Sequence, residues 1–324
     1  MTLQLLPFPA ADYAAWRDAQ VERRLRWQFG PLWSDAAAAA AQARIAVDEL
    51  APAEGLSGTH LLRVLSHQGE VGWVWLSRQD GDLLVLDADV RAPAGELLAL
   101  LEAHARAGDA TCLLLDRMVA APTPAALAAE GGFTVVSQTM TLRLAGGDDA
   151  SGARAGGPAS PPVILLPMSE TSFDAYLGAA IDEYAREIQQ ADEVAWDEAL
   201  TRSHKDYEEL LPRGLDSDGH VLLDVLEATT HAHVGALWLG LRPPSAAFVY
   251  DVHVHPAVRG RGLGRAAMSA GAEWCRARGI EVLGLSVFGR NEIALGLYDS
   301  LGYEVVVEAL RRPVEPAPPV VGPR

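Results

Sequence analysis

Arg259-Gly260-Arg261-Gly262-Leu263-Gly264-Arg265 lies directly between a strand-like run and a helix-like run, and its reading decides the fold. Upstream, Ala247-Phe248-Val249-Tyr250-Asp251-Val252-His253-Val254 is rich in β-branched and aromatic residues, and Pro256, lacking an N–H, ends any ladder. Downstream, Ala266 to Arg278 reads as a helix stopped by Gly279. Glycines at such a turn let backbone N–H groups approach an anion closely. The helix N-terminus adds partial positive charge and the three arginines add full charges. Strand, cradle and helix in that order imply an α/β fold with a place for a pyrophosphate.

At 324 residues the chain is long enough for two domains with their own cores. Hydrophobic residues make up 49% and charged residues 21%, ordinary for a soluble protein, and no apolar run is long enough to span a bilayer. Met1 to Pro9 lacks the basic start and small-residue cleavage site of a signal peptide, so a cytoplasmic protein without membrane association is expected. The net charge of -17 repels a nucleic-acid backbone. It leaves a cationic substrate open, although an acidic surface also serves solubility alone. Lys205 is the single lysine, a bias toward arginine that carries no function. Cys112 and Cys275 stand apart from any CxxC or Cys/His cluster and read as buried small apolar residues. His231 and His233 flank a hairpin turn and read as an exposed, solvated pair, so no metal site is expected.

One boundary is plain. Ala145 to Pro162 is built almost wholly of Gly, Ala, Ser, Pro and Asp and reads as a flexible linker. Pro313 to Arg324 holds five prolines and reads as an extended tail. The expected division is a first domain over 1–144, the linker over 145–162, a second domain over 163–312 and the tail over 313–324. The alanine run from Ala36 continues into Ile45 and Val47 and is expected to be helical.

The two halves repeat one another. Gly72-Trp73-Val74-Trp75-Leu76 matches Gly235-Ala236-Leu237-Trp238-Leu239 at an offset of 163, and Leu86-Asp87-Ala88-Asp89-Val90 matches Tyr250-Asp251-Val252-His253-Val254 at 164. Gly132-Phe133-Thr134-Val135-Val136 matches Gly302-Tyr303-Glu304-Val305-Val306 at 170. Six residues are therefore missing from the first half between Val90 and Gly132, and the natural place for the gap is the glycine-arginine loop. The first half is expected to lack a phosphate cradle.

The second half resembles the GNAT superfamily of N-acetyltransferases, whose signature Arg/Gln-x-x-Gly-x-Gly/Ala is filled by Arg259, Gly262 and Gly264. Asn291, Tyr298 and Gly302-Tyr303 downstream agree with it, as does the expected order. That order is two helices near 173–190 and 194–211, strands near 220–227, 234–240 and 247–254, the loop and its helix, a strand at 282–288, a helix from Asn291 and a last strand after Gly302. A weaker resemblance covers nearly the whole chain as a tandem pair, an arrangement similar to the mycothiol synthase branch. The resemblance implies an α/β fold, with an α+β mixed sheet, of two tandem GNAT-like acyl-CoA N-acyltransferase domains, the first degenerate.

It also implies a site. Val252, His253 and Val254 lie on the strand that faces the pantetheine arm, and Val252 and Val254 offer it backbone groups. Arg259, Gly260, Arg261, Gly262, Leu263, Gly264 and Arg265 hold the pyrophosphate of acetyl-CoA, a cosubstrate, with no metal required. Asn291 bonds the pantetheine region or caps its helix, and the two roles are compatible. Tyr298, on the same helix face as Asn291, is the expected general acid. For the base, Asp251 is favoured, with His253, Tyr250, Glu183 and Glu187 as alternatives, and Asp251 and His253 share a strand face unless a bulge intervenes. In the first half the counterparts of Asn291 and Tyr298 are Ala121 and Ala128. The segment Asp182 to Glu187, with Trp196, Tyr207 and Glu208, suits the wall of an acceptor site for a small primary amine or a peptide amino terminus, and equally suits a solvated helix face with a few core aromatics. The expected function is acetyl-CoA-dependent N-acetyl transfer by a monomer or homodimer; the alternative is a non-catalytic coenzyme A sensor or interaction module.

Overall fold

The computed structural model of the protein describes residues 3–30, 32–33, 35–144, 161–192, 194–289 and 291–314. The expected linker, up to residue 160, and the tail beyond residue 314 lie outside the described residues. In chain order the first half carries β1 (Gln4–Pro7), α1 (Tyr13–Arg24), α2 (Ala36–Leu50), β2 (Thr59–Ser66), β3 (Gly69–Gln79), β4 (Asp82–Val90), α3 (Ala94–Ala107), β5 (Cys112–Met118), α4 (Pro122–Gly131) and β6 (Thr134–Arg143). The second half repeats this order with β7 (Val163–Pro167), α5 (Glu170–Asp192), α6 (Trp196–Leu210), β8 (His220–Glu227), β9 (His233–Arg242), β10 (Ala246–Val254), α7 (Leu263–Arg276), β11 (Val282–Phe288), α8 (Glu292–Ser300) and β12 (Glu304–Pro313). The mixed α/β architecture read from the sequence is the one observed, and the alanine run is α2.

Two compact units result, and they are not contiguous in sequence. One gathers Met1–Pro31, Ala39–Gln138 and Val305–Arg324; the other gathers Leu32–Ala38 and Thr139–Glu304. The cause is an exchange of last strands. β12, the final strand of the second half, runs antiparallel to β5 from Val307↔Met118 to Pro313↔Cys112, inside the first unit. β6, the final strand of the first half, lies beside β11, and from Thr139 onward it belongs to the second unit.

In each unit the sheet is covered on both faces. In the second, Trp238 packs under Tyr176, Ile181 and Tyr207 of α5 and α6, while the neighbouring Leu237 faces Gly271 of α7, as period-two alternation demands. In the first, Trp75 packs with Trp16 and Val47 on one face, and Val74 and Leu76 pack with Leu97 and Leu101 of α3 on the other.

The sequence repeat is reproduced in the strand registers. β3 and β4 pair with a bulge between Trp75↔Asp87 and Leu76↔Val85; β9 and β10 carry the same bulge between Trp238↔Asp251 and Leu239↔Val249. The extra residues are Leu86 and Tyr250. At the far end of each ladder the chains come so close that only glycine fits: a Cβ on Gly72 would run into the Asp89 carbonyl, and one on Gly235 into the His253 carbonyl. The parallel ladders stop early in both units, at Val85↔Leu115 and at Val249↔Leu285, although β4 and β10 continue to Val90 and Val254. Each unit therefore has a splay between two parallel strands.

Because β12 supplies a ladder to β5, ending the chain at Tyr303 is expected to raise amide hydrogen exchange across Leu113–Met118 by ~100-fold or more, and to affect α7 less. Protection of β5 that survives the truncation would contradict the strand exchange.

Candidate active site

The site is assembled at the splay of the second unit. Past Val249 the edge of β10 that faced β11 is released, so the main-chain groups of Val252 and Val254 on that side are outside the ladder. Beyond β10 a short turn over Pro256–Val258 leads to Arg259, and Gly260 and Gly262 take φ of 79° and 80°, a left-handed backbone that disfavours other residues. Gly262 immediately precedes α7, whose N-terminus receives no side-chain cap, and a Cβ on Gly260 would meet open space. An uncapped first turn, an open approach over Gly260 and three arginines fit a pyrophosphate.

The bulge sets the polar face. It puts Tyr250 and Asp251 on the α5 side together, Tyr250 stacked on Trp238 at 4.8 Å and Asp251 accepting from the Tyr176 hydroxyl at 2.8 Å. Alternation then carries His253 to the same side, where its Nδ1 lies 3.1 Å from Glu183 Oε2. Asp251 and His253 thus share a face, because the bulge falls before both. Glu183 Oε1 accepts from Arg259 at 2.9 Å, and Arg259 Nε donates to the Val254 carbonyl at 2.8 Å. The resulting chain of bonds links α5, β10 and the phosphate loop.

The four acidic groups here are tuned apart. Hydrogen bonds with His253 and Arg259 hold Glu183 down at about 2, so it is a fixed carboxylate and a poor base. Burial pushes Asp251 up, partly opposed by the Tyr176 hydroxyl and the nearby His253. Glu187 is pushed up to about 7 by burial and then by the charges of Asp251 and Glu183. Tyr298, buried on α8, is pushed up to about 12 by burial and then by Asp251 and Glu187, and so stays a protonated phenol at neutral pH. Asn291 caps α8, its Oδ1 accepting from the Ala294 N–H at 3.1 Å.

A cavity of about 750 Å³ opens between α5 and the ends of β9 and β10, walled in part by Tyr176, Asp182, Glu183, His253 and Arg259. At its rim His233 is exposed, as its sequence setting suggested, but it is also hydrogen-bonded on both ring nitrogens. Its Nε2 is 2.9 Å from Asp224 Oδ1 and its Nδ1 is 2.8 Å from His255 Nε2; in the β8–β9 ladder His233 pairs with Leu226, and Asp224, two residues along β8, is its diagonal neighbour. Only His231 stands in the turn, at φ 56°.

The sequence pattern of the acetyltransferase (GNAT) family matches residues 183–303. The uncharacterized N-acetyltransferase YdgE of Bacillus subtilis is 32% identical over 151 residues, 46% of this chain and 96% of that protein. This chain belongs to the GNAT family of acetyltransferases. YycN of the same organism, also named an uncharacterized N-acetyltransferase, is 32% identical over 44% of this chain and 92% of its own length. The mycothiol acetyltransferase of Nocardiopsis dassonvillei is 31% identical over 202 residues, 56% of this chain and 58% of that one. A GCN5-related N-acetyltransferase from Sphaerobacter thermophilus covers 97% of this chain and 96% of its own with a TM-score of 0.56 at 15% identity, a likeness of fold.

Of the sequence-derived residues, Asp182, Glu183, His253 and Arg259 line the cavity and Asp251 lies behind them on β10, whereas Trp196 packs with Ile188 and Ala199 and Glu208 is exposed on α6. Sequence reasoning left Tyr176 unassigned and set Glu187 below Asp251. Both could have been ranked from helix spacing, since Tyr176, Glu183 and Glu187 fall seven and four residues apart on one face of α5. The Asp224–His233–His255 chain had no local signal, because its members come from three different segments. Among the described residues no cluster of His, Cys, Asp and Glu could hold a metal ion, and no helix is long and apolar enough to cross a membrane.

Glu187 has a measurable consequence in this acetyltransferase. A carboxyl raised from 4.5 to about 7 binds a proton in the folded state that the unfolded state has released, so its effect is absent below pH 4.5 and stability falls as pH rises through 7. Glu187→Gln is expected to raise stability by up to ~3 kcal/mol at pH 8 and to change it little at pH 4. An equal effect at both pH values in denaturant titrations would show that Glu187 is not perturbed.

Proposed function

We propose that this acetyltransferase moves an acetyl group from acetyl-CoA to a primary amine of a small molecule or peptide amino terminus by direct attack on the thioester. The observation that carries this reading is the splay of β10 from β11, with a buried phenol, Tyr298, and two raised carboxyls, Asp251 and Glu187, near enough to act on one another. In the step itself the amine nitrogen forms a bond to the carbonyl carbon and the carbon–sulfur bond breaks. The amine's proton passes to a carboxylate and the leaving thiolate takes one from a phenol.

The roles follow from the environments. Tyr298 is the proton donor: burial keeps it neutral, and the developing thiolate is the base that takes its proton. Glu187, tuned to about 7 by burial and then by the charges of Asp251 and Glu183, is matched to accept a proton at neutral pH. Asp251 thus serves within a pair, held in place by Tyr176, and the two titrate together. Main-chain groups of Val252 and Val254 receive the pantetheine arm, and the loop from Arg259 to Arg265 receives the pyrophosphate.

The first unit supplies the contrast. Its counterpart splay is closed by its own side chains: the Val90 N–H donates to Thr123 Oγ1 at 3.2 Å, and Arg23 donates to the Ala88 carbonyl at 3.1 Å. The residue matching Thr123 in the second unit is Ile293, which is 89% exposed. This supports a single cosubstrate site in the second unit.

Release of free thiol from acetyl-CoA with a panel of primary amines tests the reading. Tyr298→Phe is expected to lower kcat by ~100-fold while coenzyme A affinity stays within about twofold. Tight coenzyme A binding with no thiol released for any amine would favour the sensor alternative.

A further inference from the structure

The cationic heads of the phosphate loop are each engaged by the protein itself. Arg265 donates to Ser300 Oγ at 2.5 Å, but Arg259 and Arg261 are engaged by carboxylates from two different elements, Glu183 of α5 at 2.9 Å and Glu227 of β8 at 2.5 Å. Neither carboxylate is a loose surface group. Glu227 is 8% exposed and accepts from the Thr230 hydroxyl at 2.7 Å, while Glu183 also meets His253. The two guanidinium groups are half exposed, so an incoming anion can reach them.

We propose that Glu183 and Glu227 are placeholder carboxylates: they hold Arg259 and Arg261 in position, must be displaced by the pyrophosphate, and on displacement Glu183 presents its freed Oε1 to the ammonium group of the acceptor. The proposal rests on the acetyl-CoA reading above. A diphosphate offers each guanidinium more acceptor oxygens and more charge than one carboxylate does, so exchange is downhill, yet each exchange leaves a carboxylate close to the new phosphates. The carboxylates therefore lower affinity for the nucleotide while keeping the arginines ordered before it arrives. After exchange, Glu183 remains bonded to His253 and has an unfilled acceptor on the cavity wall, beside Asp182. A protonated amine is the group whose chemistry fills it, and reciprocity requires amine and nucleotide to tighten one another.

The first unit shows how special this arrangement is. The β1–β2 and β7–β8 registers align Pro7 with Pro167, which puts Arg23 at the place of Glu183. There the polarity is inverted: Arg23 bonds Asp89, the counterpart of His253, at 3.0 Å, and faces no phosphate loop. A carboxylate on α5 at this position is thus found in the unit that has a loop to hold.

Calorimetric titration of coenzyme A into wild type, Glu183→Gln and Glu227→Gln, without any acceptor, tests this independently of turnover. Both variants are expected to bind coenzyme A about three- to tenfold more tightly. The exposed Glu198→Gln, which removes the same charge far from the loop, is expected to change affinity less than twofold. For Glu183→Gln, KM for the fastest amine of the panel is expected to rise ~10-fold or more, with a smaller fall in kcat. A purely structural role would weaken binding, so equal or weaker affinity in both variants overturns the proposal while leaving the enzyme reading intact. Absence of coenzyme A binding to the wild type would overturn that reading and this one together.

Discussion

A carboxylate set into the bulge of a sheet and covered by helices has to be balanced by something, and the two copies of the fold meet that demand in opposite ways. In the first unit Asp87 is 1% exposed and is gripped by Arg23 through two bonds of 3.0 Å, with the Ala88 N–H adding a third at 2.8 Å. In the second unit the same bulge carries Asp251, and its partner is a neutral tyrosine hydroxyl, with further carboxylates nearby. A paired carboxylate is inert, whereas one left among like charges holds neighbouring groups near their point of titration. The backbone is shared, and what differs is which side chain α1 or α5 sends to it.

The splay depends on the same bulge. The extra residue redirects β4 and β10 just where the parallel ladders to β5 and β11 stop, which frees main-chain groups along one edge. Free edges are costly unless filled. In the first unit Thr123 and Arg23 fill them; on the function proposed above, the second leaves them to the pantetheine arm. Loss of the glycine-arginine loop, of the asparagine cap and of the tyrosine in the first unit therefore goes with a positive gain, an internal plug.

Much of this was legible in the sequence. The strand–loop–helix order around Gly262, the repeat offsets and the match of Ala121 with Asn291 are local patterns, and each reappears as an element, a register or a helix cap. The bulge was noted only as a condition, because one extra residue in a strand has no signature of its own. What stayed hidden is what depends on distance in the chain: the exchange of β6 and β12, since either final strand suits either sheet; the elevation of Glu187, which needs burial; and the Arg259–Glu183 and Arg261–Glu227 pairs, whose members lie far apart in sequence.

The account stands on one copy being open and the other sealed by its own side chains. Counting the coenzyme A molecules bound per chain at saturation tests that directly. One per chain, lost when Gly262 is replaced by a bulky residue and unaffected by Thr123→Ala, is the result the account requires; two per chain, or one that survives disruption of the loop at Gly262, would contradict it.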